Sequence, residues 1–435
     1  MVKSLIRKKQ RVSQFVLPFR IPVLIGLYFF SAPASAYLQN SYFESTTSEV
    51  QKPQSTKFKF NGEYGLWVRE HENQIEVNWI TTEEDSGFLK VFKNGNQLYD
   101  FITESGRSHR AAFDAIEEAV LALQYGNFSS QADRHETIIE LNKKETKNES
   151  VFTNIDSIYV LGDIHGRFDI LIKLLQNAWV IDSNLNWIAN QNHLVALGDI
   201  FDRGQDVTRT VWFLYKLERQ AKEQGGQVHV VLGNHEIMTF GNDLRYLSVK
   251  EKLIADMYNI SYSEMYSPRH SILGKWLAQK PGILKINKAL FAHGGITPDY
   301  NAISIQAFND SLKTFLQEEV FNYLVQDSIP TALVDSLQFY KRLAFFYSSN
   351  SVFWYRAYVG SDTLAKDLKK VLKNFKSNVH IVAHTPVRTI REFYDGKIVA
   401  VDLANAATEM LLLVRRDKNK FNRFKVMLDG KFEQL

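Results

Sequence analysis

The 435-residue chain contains no cysteine. Disulfide frameworks, thiolate zinc cages and every mechanism with a cysteine nucleophile are therefore excluded. Long apolar runs are missing too. The run at 21–30 is about ten residues, where a membrane-spanning helix needs roughly 20. There is no internal repeat. An excess of one charge sign is also absent from most of the chain. The net charge of +4 belongs to residues 1–36, which hold Lys3, Arg7, Lys8, Lys9, Arg11 and Arg20 and no acidic side chain. Without them the chain carries 46 basic against 48 acidic residues, so no nucleic-acid-binding surface follows.

What is present describes a folded protein. Hydrophobic residues make up 45% and aromatic residues 13%, against 23% charged, which excludes wholesale disorder. The length suggests two or three domains. Residues 1–36 read as a secretory signal: basic side chains, the apolar run, then the small-x-small pattern Ala34-Ser35-Ala36. The expected location is the periplasm or the cell surface, with membrane attachment only if the segment stays uncleaved. Residues 37–58, rich in Ser, Thr and Gln, read as a linker.

Across 59–147, short alternating runs at 64–69, 74–81, 87–93, 97–102 and 135–141 read as strands. Turn signals such as Asn94-Gly95 separate them. They suggest a small β-sandwich of immunoglobulin-like type, with 111–123 able to form a helix instead. The polar stretch 142–154 reads as a second linker. From Ser157 apolar runs alternate with helical patterns, such as the one over 206–224. This is the grammar of an α/β domain, here 155–430, with a helical insert at about 301–348.

Five apolar runs in this region each end in a polar cluster. They are Gly162-Asp163-Ile164-His165-Gly166, Gly198-Asp199-Ile200-Phe201-Asp202-Arg203-Gly204, Gly233-Asn234-His235-Glu236, His293-Gly294-Gly295 and His384-Thr385-Pro386. Sites in open α/β sheets collect beyond the carboxyl ends of strands, so the five clusters should converge. Carboxylate with imidazole and no thiolate suits Mn, Fe or Zn. Two close ions need a shared anionic ligand to offset their repulsion, which an Asp on a central strand can supply.

In this order the motifs resemble those of the calcineurin-like metallophosphoesterases, specifically the phosphoprotein phosphatase family. The run 233–248, GNHEIMTFGNDLRYLS, resembles the Shewanella-like branch. The resemblance covers roughly 157–403 and leaves the N-terminal β-module outside. It implies a four-layer αββα metallophosphatase sandwich binding two transition-metal ions. Asp163 and His165 would hold the first ion and Asp199 would bridge. Asn234, His293 and His384 would complete the second site. His235 would serve the leaving oxygen as general acid or as a charge partner, supported by Asp202. Arg203 would grip phosphate, helped by Asn234 and by Arg356, which sits where the family carries a second arginine. The cysteine-containing C-terminal motif of the family's eukaryotic members is missing. Glu236 reads as a backbone-capping carboxylate. The other seven histidines read as surface or packing residues, with His229 and His380 near enough to motifs to support ligands.

The expected reaction is direct attack of metal-bound hydroxide on a phosphate monoester of a phosphorylated protein or peptide. The alternatives are a nucleotide phosphohydrolase of the diadenosine-tetraphosphatase type and a catalytically inactive cell-surface binding protein. The leader carries its own prediction: exported protein begins after Ala36. Intact-mass analysis that finds Met1 or Val2 retained on the exported chain would refute it.

Overall fold

The computed structural model describes residues 65–141, 149–317, 336–403, 407–417 and 420–435, the side chains of 336–340 excepted. The expected signal and the linker at 37–58 lie outside the described residues. The first sheet contains β1 (Trp67–His71), β2 (Gln74–Lys93), β3 (Asn96–Asp114), β4 (Ala119–Asn127) and β5 (Arg134–Leu141). Asn94 and Gly95 join β2 to β3 with φ of 52° and 80°, the left-handed pair that matches a two-residue turn to strand twist.

All five strands belong to one antiparallel sheet, so the two facing sheets expected of an immunoglobulin-like sandwich are not seen. The reason lies in β2 and β3. Each runs for about twenty residues, and register shifts between Ile80 and Asp85 and between Ser86 and Phe88 break their pairing. Bulges of this kind bend and twist a strand, letting one ribbon serve two neighbours. β2 accordingly pairs with β1 along its first half and β4 along its second. The segment 111–123 is not helical: β3 continues to Asp114 and β4 starts at Ala119.

Among the described residues twelve further strands follow: β6 (Val151–Phe152), β7 (Ser157–Leu161), β8 (His193–Ala196), β9 (Gln227–Val230), β10 (Leu284–Ile286), β11 (Ala289–Phe291), β12 (Val379–Val382), β13 (Arg391–Phe393), β14 (Ile398–Ala400), β15 (Glu409–Arg415), β16 (Phe421–Met427) and β17 (Phe432–Gln434). They form two six-stranded mixed sheets, ordered β17-β16-β15-β7-β8-β9 and β13-β14-β12-β11-β10-β6. β6 falls inside the stretch read as a linker and pairs in parallel with β10, so the sandwich starts before residue 155.

Period-two alternation builds the layers. Ile158, Val160, Val195 and Leu197 share one apolar cluster with Leu284, Ile286, Phe291 and Ile381, which packs the two sheets face to face. The intervening Leu161, Leu194 and Ala196 belong to a second cluster with Leu171 and Leu174 of helix Phe168–Asn177 and Val211 and Leu214 of helix Val207–Glu223. Leu290 and Ala292, on the outer side of the second sheet, share that cluster with Phe308 of helix Ile305–Gln317 and Val371 of helix Ala365–Asn374. Helix Ser336–Tyr347 lies in the expected insert, with Phe346 fully buried. No helix among the described residues is long and apolar enough to cross a membrane.

The first sheet is not a separate body on a tether. The described residues all belong to one compact unit. The Glu70 N–H donates to the His270 carbonyl at 2.8 Å, Trp212 Nε1 to the Leu66 carbonyl at 2.9 Å, and the Glu140 N–H to the Tyr215 hydroxyl at 3.0 Å. Leu66, Trp67 and Val68 share the apolar core of the helices beneath.

A buried carboxylate ties the helices behind the site together. Glu251 accepts from the Thr208 N–H at 3.1 Å, the Thr208 hydroxyl at 2.6 Å and the Tyr262 hydroxyl at 3.1 Å. This joins helix Val249–Met257 to the start of helix Val207–Glu223. Burial pushes the Glu251 carboxyl up to about 7 from its ordinary 4.5, against those three donors. The folded state therefore holds a proton that the unfolded chain releases at lower pH. Stability should fall as pH rises across that window, by up to about 3 kcal/mol from this group. Glu251→Gln removes the ionisation, so its loss of melting temperature between about pH 5 and pH 8 should be smaller than the parent's. Equal losses in both proteins would place the cost elsewhere.

Candidate active site

The five polar clusters do converge. They leave the carboxyl ends of β7, β8, β9, β11 and β12, and Asp163, His165, Asp199, Asn234, His235, His293 and His384 are all buried. Tight turns aim them. His165, Asp199, Asp202, Arg203 and His384 all carry left-handed backbone, with φ between 48° and 66°. Each such residue costs of order 1–3 kcal/mol unless its surroundings enforce it, and such strain concentrates at functional sites. At Gly198, φ is 86° and a Cβ would lie 2.6 Å from the Gly233 backbone and 2.8 Å from His293 Nδ1. No other residue fits there.

Glu236 enforces much of this geometry. Its carboxylate accepts from the N–H groups of Gly233 at 2.6 Å, Ile200 at 2.7 Å, Asp199 at 3.0 Å and Phe201 at 3.3 Å. It is the capping carboxylate expected. Because those donors include Asp199 itself, removing Glu236 would free the central carboxylate to turn away.

Asp199 stands at the centre. Two groups of three side chains bring their ligand atoms within 4.8 Å of one another: His165, Asp199 and His235, and Asp199, His293 and His384. Asp199 Oδ1 lies 3.2 Å from His293 Nε2, and Oδ2 lies 3.9 Å from His165 Nε2 and 3.7 Å from His235 Nε2. Asp163 Oδ2 is 3.8 Å from His165 Nε2. Asn234 Oδ1 is 3.1 Å from His293 Nε2. The expected ligands are thus together, with His235 beside them.

The imidazoles are set up as ligands rather than as structural donors. His165 Nδ1 donates to the Phe201 carbonyl and His293 Nδ1 to the Leu197 carbonyl, both at 2.7 Å, which turns each Nε2 inward; burial opposes charge on His293, but Asp199 outweighs it and raises the group to about 10. The Nε2 atoms of His165 and His384 are buried with no hydrogen-bond partner. An orphaned buried acceptor of this kind is costly unless something binds it. Burial lowers His165 to about 4 and His384 to about 2, so both are neutral imidazoles, the form that coordinates metal. Burial and then the Asp199 charge raise Asp163, while Asp402 shares a hydrogen bond with Asp163 and is raised by burial. Crowded buried carboxylates facing unpartnered imidazole nitrogens fit cations well.

Beside the cluster, His235 Nδ1 donates to Asp202 Oδ2 at 2.6 Å. Burial lowers the His235 pKa, but Asp199 and Asp202 together outweigh it and raise the group above its ordinary value. Arg203 is exposed at the mouth, with Nη2 3.4 Å from His235 Nε2. Arg356 donates to the His384 carbonyl, which brings it to the same opening. His229 and His380 do not face the site. His229 pairs with His193 at 2.9 Å, while His380 bridges the Leu290 carbonyl and the Ile296 N–H.

The model of the calcineurin-like phosphoesterases matches residues 157–388. The chain belongs to this family. It is a metal-dependent phosphoesterase with an α/β metallophosphatase fold. Shewanella-like protein phosphatase 1 of Plasmodium berghei is 28% identical over 283 residues, covering 61% of this chain and 72% of the relative. The solved cold-active protein-tyrosine phosphatase of a psychrophilic Shewanella species is 26% identical with a TM-score of 0.65. That likeness covers 85% of this chain and 98% of the other, more than the catalytic sandwich alone can supply. It therefore reaches into the N-terminal strands, which the motif resemblance left out. The symmetrical bis(5'-nucleosyl)-tetraphosphatase of Vibrio vulnificus is 26% identical over 39% of this chain and 55% of the relative.

Sequence reasoning missed Asp402, Arg167 and Tyr246. Asp402 follows β14 in the same way the five clusters follow their strands, so that grammar could have found it. Arg167 stands at the start of helix Phe168–Asn177, where the Arg203, Asp402 and Asp163 charges act on it. Tyr246 packs against Arg203 and His235, and no pattern in its neighbourhood announces that.

Proposed function

We propose that the chain is a protein phosphatase that hydrolyses phosphate monoesters of phosphotyrosine, phosphoserine or phosphothreonine with two transition-metal ions. The observation that carries this is the membership of Asp199 in both carboxylate–imidazole groups, with an arginine and an acid–base pair at the same opening. Asp163, His165 and Asp199 would hold one ion, and Asp199, Asn234, His293 and His384 the other, as Mn, Fe or Zn. Such a pair, when bound, acidifies water, orients the phosphate and offsets its charge.

The protein's own groups do the rest. Arg203, with a planar fork, takes two phosphate oxygens, and Arg356 approaches from the His384 side. The Asn234 carbonyl adds a ligand without adding a negative charge that would repel phosphate. Asp202 holds the His235 proton on Nδ1 and favours the charged imidazole, so that Nε2 can give a proton to the leaving oxygen.

Protein substrates are favoured over dinucleotides by the longer likeness to the Shewanella phosphatases. Export, supported by the basic, apolar and Ala-x-Ala pattern of 1–36, would bring those substrates from the periplasm or cell surface. The test is a phosphopeptide panel beside diadenosine tetraphosphate, before chelation, after it, and after metal add-back. Peptide turnover that vanishes and returns is expected. Turnover of the dinucleotide alone would overturn the reading, and no turnover with no metal uptake would favour an inactive binding protein.

Variants at His235 separate acid from ligand. General-acid assistance contributes typically about 10²–10⁴-fold, and most where the leaving group is poor. His235→Ala should keep its metals, lose most activity toward phosphoserine and lose less toward an aryl phosphate. Asp202→Asn should behave alike but more weakly. Loss of a metal, or equal slowing of both substrates, would make His235 a ligand or a clamp.

A further inference from the structure

Tyr246 is 48% exposed, yet its ring is not a free surface ring. Its centroid lies 5.4 Å from that of His235, which is only 2% exposed. The Arg203 guanidinium carbon lies 6.0 Å from the same ring, and that of Arg245 lies 5.7 Å from it. The Tyr246 carbonyl accepts from the Arg203 N–H at 2.9 Å, which holds the left-handed Arg203 backbone in place. Arg245 is fixed in turn by a two-point pair with Asp243, at 2.8 and 2.7 Å. The ring is thus a positioned wall of the opening, with half its surface left for something else.

We propose that Tyr246 determines leaving-group specificity by packing against the aryl ring of a phosphotyrosine substrate. The inference rests on the phosphatase reading above. If Arg203 grips the phosphoryl oxygens and His235 serves the departing oxygen, the substituent on that oxygen emerges beside the His235 ring. Tyr246 is the neighbour it meets there. An aryl substituent brings a flat apolar face or edge to the exposed part of the tyrosine ring, the offset or edge-to-face contact that aromatic pairs favour. A seryl substituent brings one methylene and then backbone, with little to stack. The contact therefore discriminates between leaving groups while the grip on phosphate is common to both.

The test compares kcat/KM on one peptide carrying phosphotyrosine or phosphoserine, in wild type, Tyr246→Ala and Tyr246→Phe. Tyr246→Ala should lower the phosphotyrosine-to-phosphoserine ratio about three- to tenfold, and Tyr246→Phe should hold it within about twofold. Inhibition by inorganic phosphate, which reads the arginine grip without a leaving group, should change less than that ratio. An unchanged ratio in Tyr246→Ala overturns the proposal. So does a parallel fall in both substrates and in phosphate inhibition, which would reduce Tyr246 to a support for Arg203. Should wild type cleave neither peptide, the phosphatase reading fails by itself. The Tyr246 ratio is then read from phenyl phosphate against an alkyl phosphate.

Discussion

Buried negative charge at the mouth of the sandwich is the constraint on which the rest depends. Asp163, Asp199 and Asp402 lie close enough to move one another's ionisation, in a place where burial already opposes charge. Left alone, such a group would protonate or open. The protein instead sets beside it two neutral imidazoles, His165 and His384, whose inward nitrogens lack partners, and pairs His293 with Asp199, a donor set that cations complete. The left-handed turns at His165, Asp199 and His384 are the conformational expense of holding those ligands at one point.

That expense is met by the packing around the turns. Two sheets interleave Ile158, Val160, Phe291 and Ile381 at the centre, which fixes the relative height of the strand ends. Glu236 gathers four backbone N–H groups from two of the loops. Glu251 ties the helix that follows the Asp199 loop to the layer behind it. The N-terminal sheet adds a further brace through Trp212, Tyr215 and Ser271.

The catalytic half was readable because its chemistry is written in short local units. Each motif pairs an apolar strand with a polar turn, and the strand ends alone predict convergence. The N-terminal half was less readable. Its strands were legible from alternation, and so was the Asn94-Gly95 turn. Their arrangement depends on bulges near Asp85 and Ser86, and although Gly87 sits in one of these shifts, a lone glycine does not say which neighbour each half of the strand will take. β6 was hidden because two residues carry no periodicity, and its pairing with β10 spans more than 130 positions. Tyr246 was hidden for a similar reason. Its role comes from a loop that returns to Arg203, a contact made by backbone rather than by residue identity.

The most direct measurement is metal stoichiometry, read by elemental mass spectrometry on the purified chain and on Asp199→Asn, with circular dichroism to confirm that both are folded. A shared central carboxylate predicts two ions per chain in the parent and loss of at least one in the variant. A parent that takes up a single ion, or a folded variant that keeps two, would contradict the account.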